Sequence, residues 1–473
     1  WRTLAGESRQ GPVPATPAGG AYLVAGNKMA ANGIIGVSLA CLGKEKMMNK
    51  RLYVLFTAVI IPALLLSACG SGKVAESKLE RVSNPDVAAL DLEQLVAGNT
   101  AFAFDLYQAV RPSNGNVVYS PYSISLAFAM AYGGARGETA TQIADVFHYT
   151  LSGDQFHPAF NALDLDLARR PDQAAGVDEK ERFQLSIANA LWGQDGWRFM
   201  PEYLDLLAAN YGSGMRLVDF ENVPESARRQ INDWVSDQTR KRIKDIIPPG
   251  MIDPSTRLVL ANAIYFKATW EHEFDPKETS DEPFYLLDGE TVSVPMMGME
   301  TGEDFAYAAG DGWQAVALPY KGGLTEMVVI VPDAGNFETF ESALTAERYE
   351  EILATMESQK VILSMPKFMF ETQYGLKDVL AGMGMLDAFD PHAADFSGID
   401  GQRDLLISDA IHKAFIAVDE KGTEAAAATV VFMGMGALMP EGIVLTIDRP
   451  FFYVIRDIPT GTILFMGRVV DPR

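Results

Sequence analysis

Apolar residues at Leu95, Phe102, Leu106 and Val110 lie seven, four and four positions apart, the spacing that lines one face of a helix. Residues 123–132 carry the same period, and Gly133-Gly134 closes it. A second helix is expected to open at Thr139-Ala140-Thr141 and run through Ile143, Val146 and Phe147. A third helical stretch covers 225–247, with Ile231, Trp234, Val235 and Ile243 on its apolar side. Then the pattern changes. Residues 258–267 form a near-continuous apolar run, as expected of a strand covered on both faces. The segments 314–319, 326–332, 361–368, 412–418, 443–447, 451–455 and 462–469 read as further strands. The last two are joined by a turn at Asp457-Ile458-Pro459-Thr460-Gly461. Helices in the first half and strands in the second predict an α+β class with large, mainly antiparallel sheets.

The front of the chain has another character. Met47-Met48-Asn49-Lys50-Arg51 precedes an apolar run over 52–66, followed by Ser67-Ala68-Cys69-Gly70. A short cationic start, a greasy stretch of about 15 residues and small residues at its end make an export signal. The run falls short of the ~20 residues that cross a bilayer, and Pro62 interrupts it. Leu66-Ser67-Ala68-Cys69 resembles the lipobox of bacterial lipoproteins, which implies a signal peptide over 47–68 and a lipid on Cys69. A plain signal peptide ending beside a cysteine is the alternative. Residues 1–46, rich in Ala, Gly and Pro, are expected to be sequence upstream of a true start at Met47 or Met48. Residues 69–89 open on Gly70-Ser71-Gly72 and read as a flexible tether, and 90–473 as one domain without internal repeats. The protein is expected to be exported, either lipid-anchored at the cell envelope or extracellular.

Composition narrows the function. The 473 residues hold 39 Lys+Arg against 62 Asp+Glu, a formal charge of −23. Residues 1–68 contain 7 Lys+Arg and 2 Asp+Glu, so the exported part carries −28. With no basic run to neutralise phosphates, nucleic-acid binding is not expected, and heparin-like polyanions are poor candidates for a cofactor. Cys41 and Cys69 are the only cysteines, so no disulfide framework holds the fold. Five scattered histidines without a CxxC argue against structural zinc. Glu271-His272-Glu273 lacks the helical spacing of a metal motif, and no GxSxG, paired-carboxylate motif or phosphate-binding glycine loop points to an enzyme. No metal or cofactor is expected.

The unusual segment is Glu420-Lys421-Gly422-Thr423-Glu424-Ala425-Ala426-Ala427-Ala428-Thr429-Val430-Val431-Phe432-Met433-Gly434-Met435-Gly436-Ala437-Leu438-Met439-Pro440. It connects two strands with over 20 residues, a length usually functional or disordered. Read with period two, Thr423, Ala425, Ala427, Thr429 and Val431 share a face of small or β-branched side chains that could lie against a packed interior. Its first part is a strand in waiting, held outside the sheet. The alternative is an Ala-rich helix over 423–429 that leads into a strand.

Glu420-Lys421-Gly422-Thr423-Glu424-Ala425-Ala426 resembles the hinge of the reactive-centre loop of serpins, the serine protease inhibitors, and the similarity spans the chain from about residue 90. Asn116-Val117-Val118-Tyr119-Ser120-Pro121-Tyr122-Ser123 resembles an early family motif, and Gly134-Ala135-Arg136-Gly137-Glu138-Thr139 follows it. Asn232-Asp233-Trp234-Val235 and Asn262-Ala263-Ile264-Tyr265-Phe266-Lys267-Ala268-Thr269-Trp270 come next. Val294-Pro295-Met296-Met297, Leu318-Pro319-Tyr320, Pro366-Lys367, Arg449-Pro450-Phe451 and Phe465-Met466-Gly467-Arg468-Val469 complete the order.

The resemblance implies a serpin fold with an exposed reactive-centre loop, and a monomer that traps a protease as an acyl-enzyme and catalyses nothing itself. The loop hinge would be Glu420, Gly422, Thr423, Glu424, Ala425, Ala426, Ala427 and Ala428, with Glu424 pointing away from the face that enters the sheet. Ser120, Ser123, Asn262 and His412 match a polar cluster under the middle of the main sheet, and Trp270 matches the aromatic residue where the loop first goes in. The family loop length puts the reactive bond at Gly436–Ala437. Met435–Gly436 is the alternative, since glycine offers nothing to a specificity pocket. Residues 425–448 contain no Lys or Arg, which argues against trypsin-like targets. Chymotrypsin-, elastase- or subtilisin-like proteases with apolar or small-residue pockets are the expected partners, with a cysteine protease as a further candidate. A non-inhibitory serpin acting as a carrier or chaperone is the alternative reading.

Overall fold

The computed structural model describes residues 72–112, 114–299, 301–424 and 442–473. The expected signal peptide, Cys69 and the upstream segment 1–46 lie outside them. The helical first half contains α1 (Ala89–Val110), α2 (Pro121–Tyr132), α3 (Gly137–Phe147), α4 (Gly153–Gln173), α5 (Pro201–Tyr211) and α6 (Pro224–Gln238). Helix α2 is buried on nearly every side, so its apolar residues wrap the whole cylinder rather than one stripe. Pro121 stands at its start, where a missing N–H costs nothing, and Ser120 caps it by accepting the Ser123 N–H. No helix among the described residues is long and apolar enough to cross a membrane.

Two sheets complete the α+β fold. The first is seven-stranded, in the order β1 (Lys73–Ala75), β4 (Met215–Val218), β3 (Gln184–Gln194), β5 (Leu258–Thr269), β14 (Gly422–Thr423), β13 (Asp409–Asp419) and β12 (Phe368–Gly375). The second runs β2 (Val117–Tyr119), β17 (Ile463–Val469), β16 (Phe451–Asp457), β10 (Thr325–Pro332), β9 (Trp313–Pro319), β8 (Glu303–Gly310), β11 (Glu357–Pro366), β7 (Thr291–Gly298) and β6 (Ser280–Tyr285), with β15 (Ile443–Thr446) paired to β11. The pairings are mainly antiparallel; β3 with β4, β5 with β13 and β11 with β15 are parallel.

The apolar run over 258–267 has a simple cause. Leu260, Ile264 and Phe266 of β5 face the main core around α2. Val259, Ala261 and Ala263 face a second core beneath α6, with Ile231, Val235 and Trp192. Both faces of this strand are therefore dry.

Three expectations need correction. The third helix ends at Gln238, and Arg240, Lys241 and Asp245 take left-handed backbone angles beyond it. Ile243 and Ile247 stay buried because the chain folds back on α6, where Asn232 bonds both the N–H and the carbonyl of Ile247. Burial thus mimicked a helical period. The predicted strand 361–368 is two strands in different sheets, broken at Lys367, because an apolar pattern does not say which sheet a residue joins. Residues 72–89 are also no free tether. β1 pairs with β4, and Arg81 bonds Asn161 and Asp164 of α4 at 2.7 Å each. The Val82 N–H reaches the Ala209 carbonyl of α5 at 2.9 Å. The polarity that suggested solvation is used in these bonds.

The β16–β17 turn is tied to α4 by a buried ion pair. Arg170 donates to Asp457 at 2.7 and 3.2 Å, with side chains 6% and 0% exposed, and Thr460 adds two hydrogen bonds to the same carboxylate. Arg170→Ala strands that carboxylate and should cost about 3–5 kcal/mol, read as a lower urea midpoint at neutral pH. The double variant Arg170→Met/Asp457→Asn should recover most of the loss.

Candidate functional site

Strands β5 and β13 lie parallel over six pairs, from Val259 opposite Asp409 to Ile264 opposite Ala414. Above Ile264, β14 fills the gap between them. It runs antiparallel to both, with Thr423 opposite Ala268 on one side and Val418 on the other. The chain leaves the top of β13, turns through 419–421 and starts back down the seam. The Lys421 N–H donates to the Asp419 carboxylate at 2.9 Å and closes the turn. A Cβ on Gly422 would overlap the carbonyl of Ala268, so the first threaded position takes only glycine.

Thr423 faces the interior, 2% exposed, with its hydroxyl 2.7 Å from that of Tyr320. Glu424 faces the other way. Its N–H donates to the Ala417 carbonyl at 2.6 Å, and its carboxylate pairs with Arg242. Burial pushes the Glu424 carboxyl up, against the pull of Arg242 and Lys267. The loop's first part was expected wholly outside the sheet; two of its residues form a strand within it. A small threonine with a buried hydroxyl partner makes that position favourable.

Glu420 anchors the turn. Its side chain is 4% exposed and accepts from Lys367 Nζ at 2.8 and 3.0 Å and from Thr279 Oγ1 at 2.8 Å. Burial pushes this carboxyl up, but Lys367 and Thr279 outweigh it and hold it below the usual range. Trp270 braces the same turn. Its ring stacks on Tyr320 with centroids 4.5 Å apart, its indole N–H reaches the Asp419 carbonyl at 3.0 Å, and its backbone N–H reaches that of Lys421 at 2.8 Å.

Halfway down the seam a polar cluster crosses from one strand to the other. The Ser120 N–H donates to His412 Nε2 at 3.1 Å, which leaves the proton on Nδ1, and Nδ1 donates to Asn262 Oδ1. Asn262 Nδ2 reaches the Ser123 carbonyl and hydroxyl at 2.7 Å each, and also Asn189 Oδ1. Asn189 returns a bond to the Ser123 carbonyl at 3.0 Å. His412 and Asn262 are direct partners across the parallel ladder, so separating β5 from β13 breaks their bond. Burial depresses the His412 pKa to about 3, and the imidazole is neutral at ordinary pH.

The structure therefore brings Ser120, Ser123, Asn262 and His412 into one network, and Trp270, Glu420, Gly422, Thr423 and Glu424 into a second group above it. Ala425 to Ala428, Met435, Gly436 and Ala437 lie outside the described residues. Sequence reasoning missed the parts played by Asn189, Tyr320, Lys367, Thr279 and Arg242. Tyr320 and Lys367 stand in motifs that carry the resemblance, but nothing local to any of the five names these contacts. Among the described residues no group of three or more His, Cys, Asp or Glu side chains is placed to hold a metal.

A family model described as serpin (serine protease inhibitor) matches residues 97–472. An uncharacterized serpin-like protein of Thermococcus kodakarensis is 45% identical over 375 residues, 79% of this chain and 84% of that protein. Leukocyte elastase inhibitor A of Mus musculus is 38% identical over 390 residues, 80% of this chain and 100% of that protein. Among solved structures, the native state of the thermophilic serpin tengpin gives a TM-score of 0.73 at 26% identity, covering 85% of this chain and 100% of that one.

The buried imidazole makes stability pH-dependent with a definite sign. His412 binds its proton far more weakly in the fold, near 3, than at its ordinary 6.5, so its contribution is complete above about 6.5 and is lost as pH falls toward 3. At pH 5 the loss should be about 2 kcal/mol. His412→Gln should flatten the fall in denaturant midpoint between about pH 7.5 and about pH 5, a range that spans the ordinary imidazole titration. A residual slope should remain from the buried His157, depressed to about 4.

Proposed function

Because the chain belongs to the serpin family, we propose that it inhibits a serine protease as a suicide substrate. The observation that carries this reading is the direction of β14. It is already antiparallel to both strands of the seam, and its two registers agree on a single continuation. Carried down one residue at a time from Thr423, each ladder brings position 432 opposite the last parallel pair, Val259 and Asp409. The seam has one consistent place for a strand of residues 422–432.

The side chains suit that place. Continuing the alternation from Thr423, the residues turned to the core are Ala425, Ala427, Thr429 and Val431, all small or β-branched. Insertion exchanges one parallel ladder for two antiparallel ones, each new hydrogen bond contributing about 1 kcal/mol net. The chemistry belongs to the target. Its serine oxygen attacks the carbonyl of Gly436, or of Met435, and forms an ester as the peptide C–N bond breaks and the new amine leaves with a proton. If the freed strand then fills the seam, the tethered protease moves on the order of 50 Å before water reaches the ester. Distortion of its active site by that displacement leaves the acyl-enzyme trapped.

Met435 and Gly436, with no Lys or Arg between 425 and 448, favour chymotrypsin-, elastase- or subtilisin-like targets. The family relation to an elastase inhibitor points the same way. We also propose that Cys69 bears a lipid, so that Cys69→Ser should abolish incorporation of a labelled fatty acid.

Mixing with chymotrypsin, elastase and subtilisin should yield an SDS-stable covalent complex with at least one of them, and mass spectrometry of the released carboxy-terminal peptide should identify the bond. Absence of any such complex would overturn the reading. Thr423→Arg puts a cation against Tyr320 in the threaded position, and should convert the inhibitor into a plain substrate. An unchanged stoichiometry would count against insertion.

A further inference from the structure

Glu424 is held in a left-handed backbone conformation with φ of 54°. A non-glycine residue there costs roughly 1–2 kcal/mol, so something must hold it. Its side chain is 8% exposed and lies on the face of the sheet that α6 covers. The groups around it come from two elements. Arg242 and Arg240 project from the segment after α6, and Lys267 and Tyr265 from β5. From β13 the Ala417 carbonyl reaches it, through the backbone. Arg242 forms the ion pair, and it is itself half exposed, with no other ionic partner among the described residues. The carboxylate is thus buried among cations at the point where the threaded strand ends.

This matters because opening a closed sheet is the unfavourable first step of adding a strand. Strands β5 and β13 must separate before any new hydrogen bond rewards the separation, whereas later residues add one at a time. Here that first step is complete in the uncut chain: Gly422 and Thr423 hold the top of the seam apart and use its backbone groups. We infer that Arg242 is a positioning residue that, through Glu424, keeps the hinge threaded so that insertion starts from a formed nucleus. The inference rests on the inhibition proposed above, where trapping succeeds only if insertion outruns deacylation. Arg242 acts on the winner of that race and touches neither the protease nor the reactive bond.

The test compares the full chain with Arg242→Gln and Arg242→Lys, both at an exposed side chain. Two readouts are taken: the stoichiometry of inhibition of subtilisin, or of whichever protease forms the complex, and hydrogen exchange at the Gly422, Thr423 and Glu424 amides of the uncut protein. Arg242→Gln should speed exchange roughly fivefold, the equivalent of about 1 kcal/mol. It should raise the stoichiometry severalfold while the thermal midpoint barely moves, and Arg242→Lys should restore most of both. Unchanged exchange overturns the threading role. Faster exchange with unchanged stoichiometry overturns the nucleus. A parent chain that traps no protease, while exchange still rises in Arg242→Gln, refutes the inhibition reading and supports the latch.

Discussion

Strands β5 and β13 run side by side in parallel, while the chain that joins β13 to β14 is bound to come back antiparallel. That mismatch of direction governs the molecule. Two parallel neighbours leave a seam whose hydrogen bonds are slanted, and an antiparallel strand placed between them makes a better ladder with each. The sheet has seven members as it stands, and the seventh, β14, is two residues long; on the inhibition proposed above it is the member that lengthens. On the inhibition proposed above, the helices, the second sheet and both cores support a sheet that must be tight enough to fold and able to separate along one line.

The polar groups on that line fit this double demand. A dry seam of aliphatic side chains would gain nothing from parting. Here Asn262, His412, Asn189, Ser120 and Ser123 form a connected set of amides, hydroxyls and one neutral imidazole, each able to change partner. No member depends on a charge, so rearrangement exposes no bare ion to the core. At the top the chemistry differs. Glu420, Lys367 and Thr279 hold the turn from which β14 starts, and a charged anchor suits a point that stays fixed.

How much of this was legible depended on scale. Helix α2 and strand β5 could be read because an element buried all round, or on both faces, leaves an unbroken apolar signature. The threaded hinge was half legible. Gly422, Thr423 and the alanines advertise a strand of small side chains, but nothing in them says that two residues are already in place. That depends on Tyr320, Lys367 and Arg242, which are remote in sequence and meet the hinge only in the fold. Residues 72–83 misled for the opposite reason, because Arg81 and Ser77 find partners on α4 and α5 that no local pattern contains. The break at Lys367 was hidden because Val361, Leu363, Met365 and Pro366 on one side and Phe368 on the other are all buried, in separate sheets.

Strand β1 bears on how one border of the sheet is protected. A sheet that readily accepts another strand is a hazard in company, since any extended segment of a neighbouring copy could compete for its borders. The outer border of β4 is occupied by Lys73, Val74 and Ala75, a short strand begun by a lysine and continued by the bonds of Arg81 and Val82 to the helices beside it. The border of β4 is thereby covered by a three-residue strand of the same chain, as a hem covers a cut edge. On the inhibition proposed above, the strand the sheet takes up enters in its interior, beside β5 and β13, and not at this border.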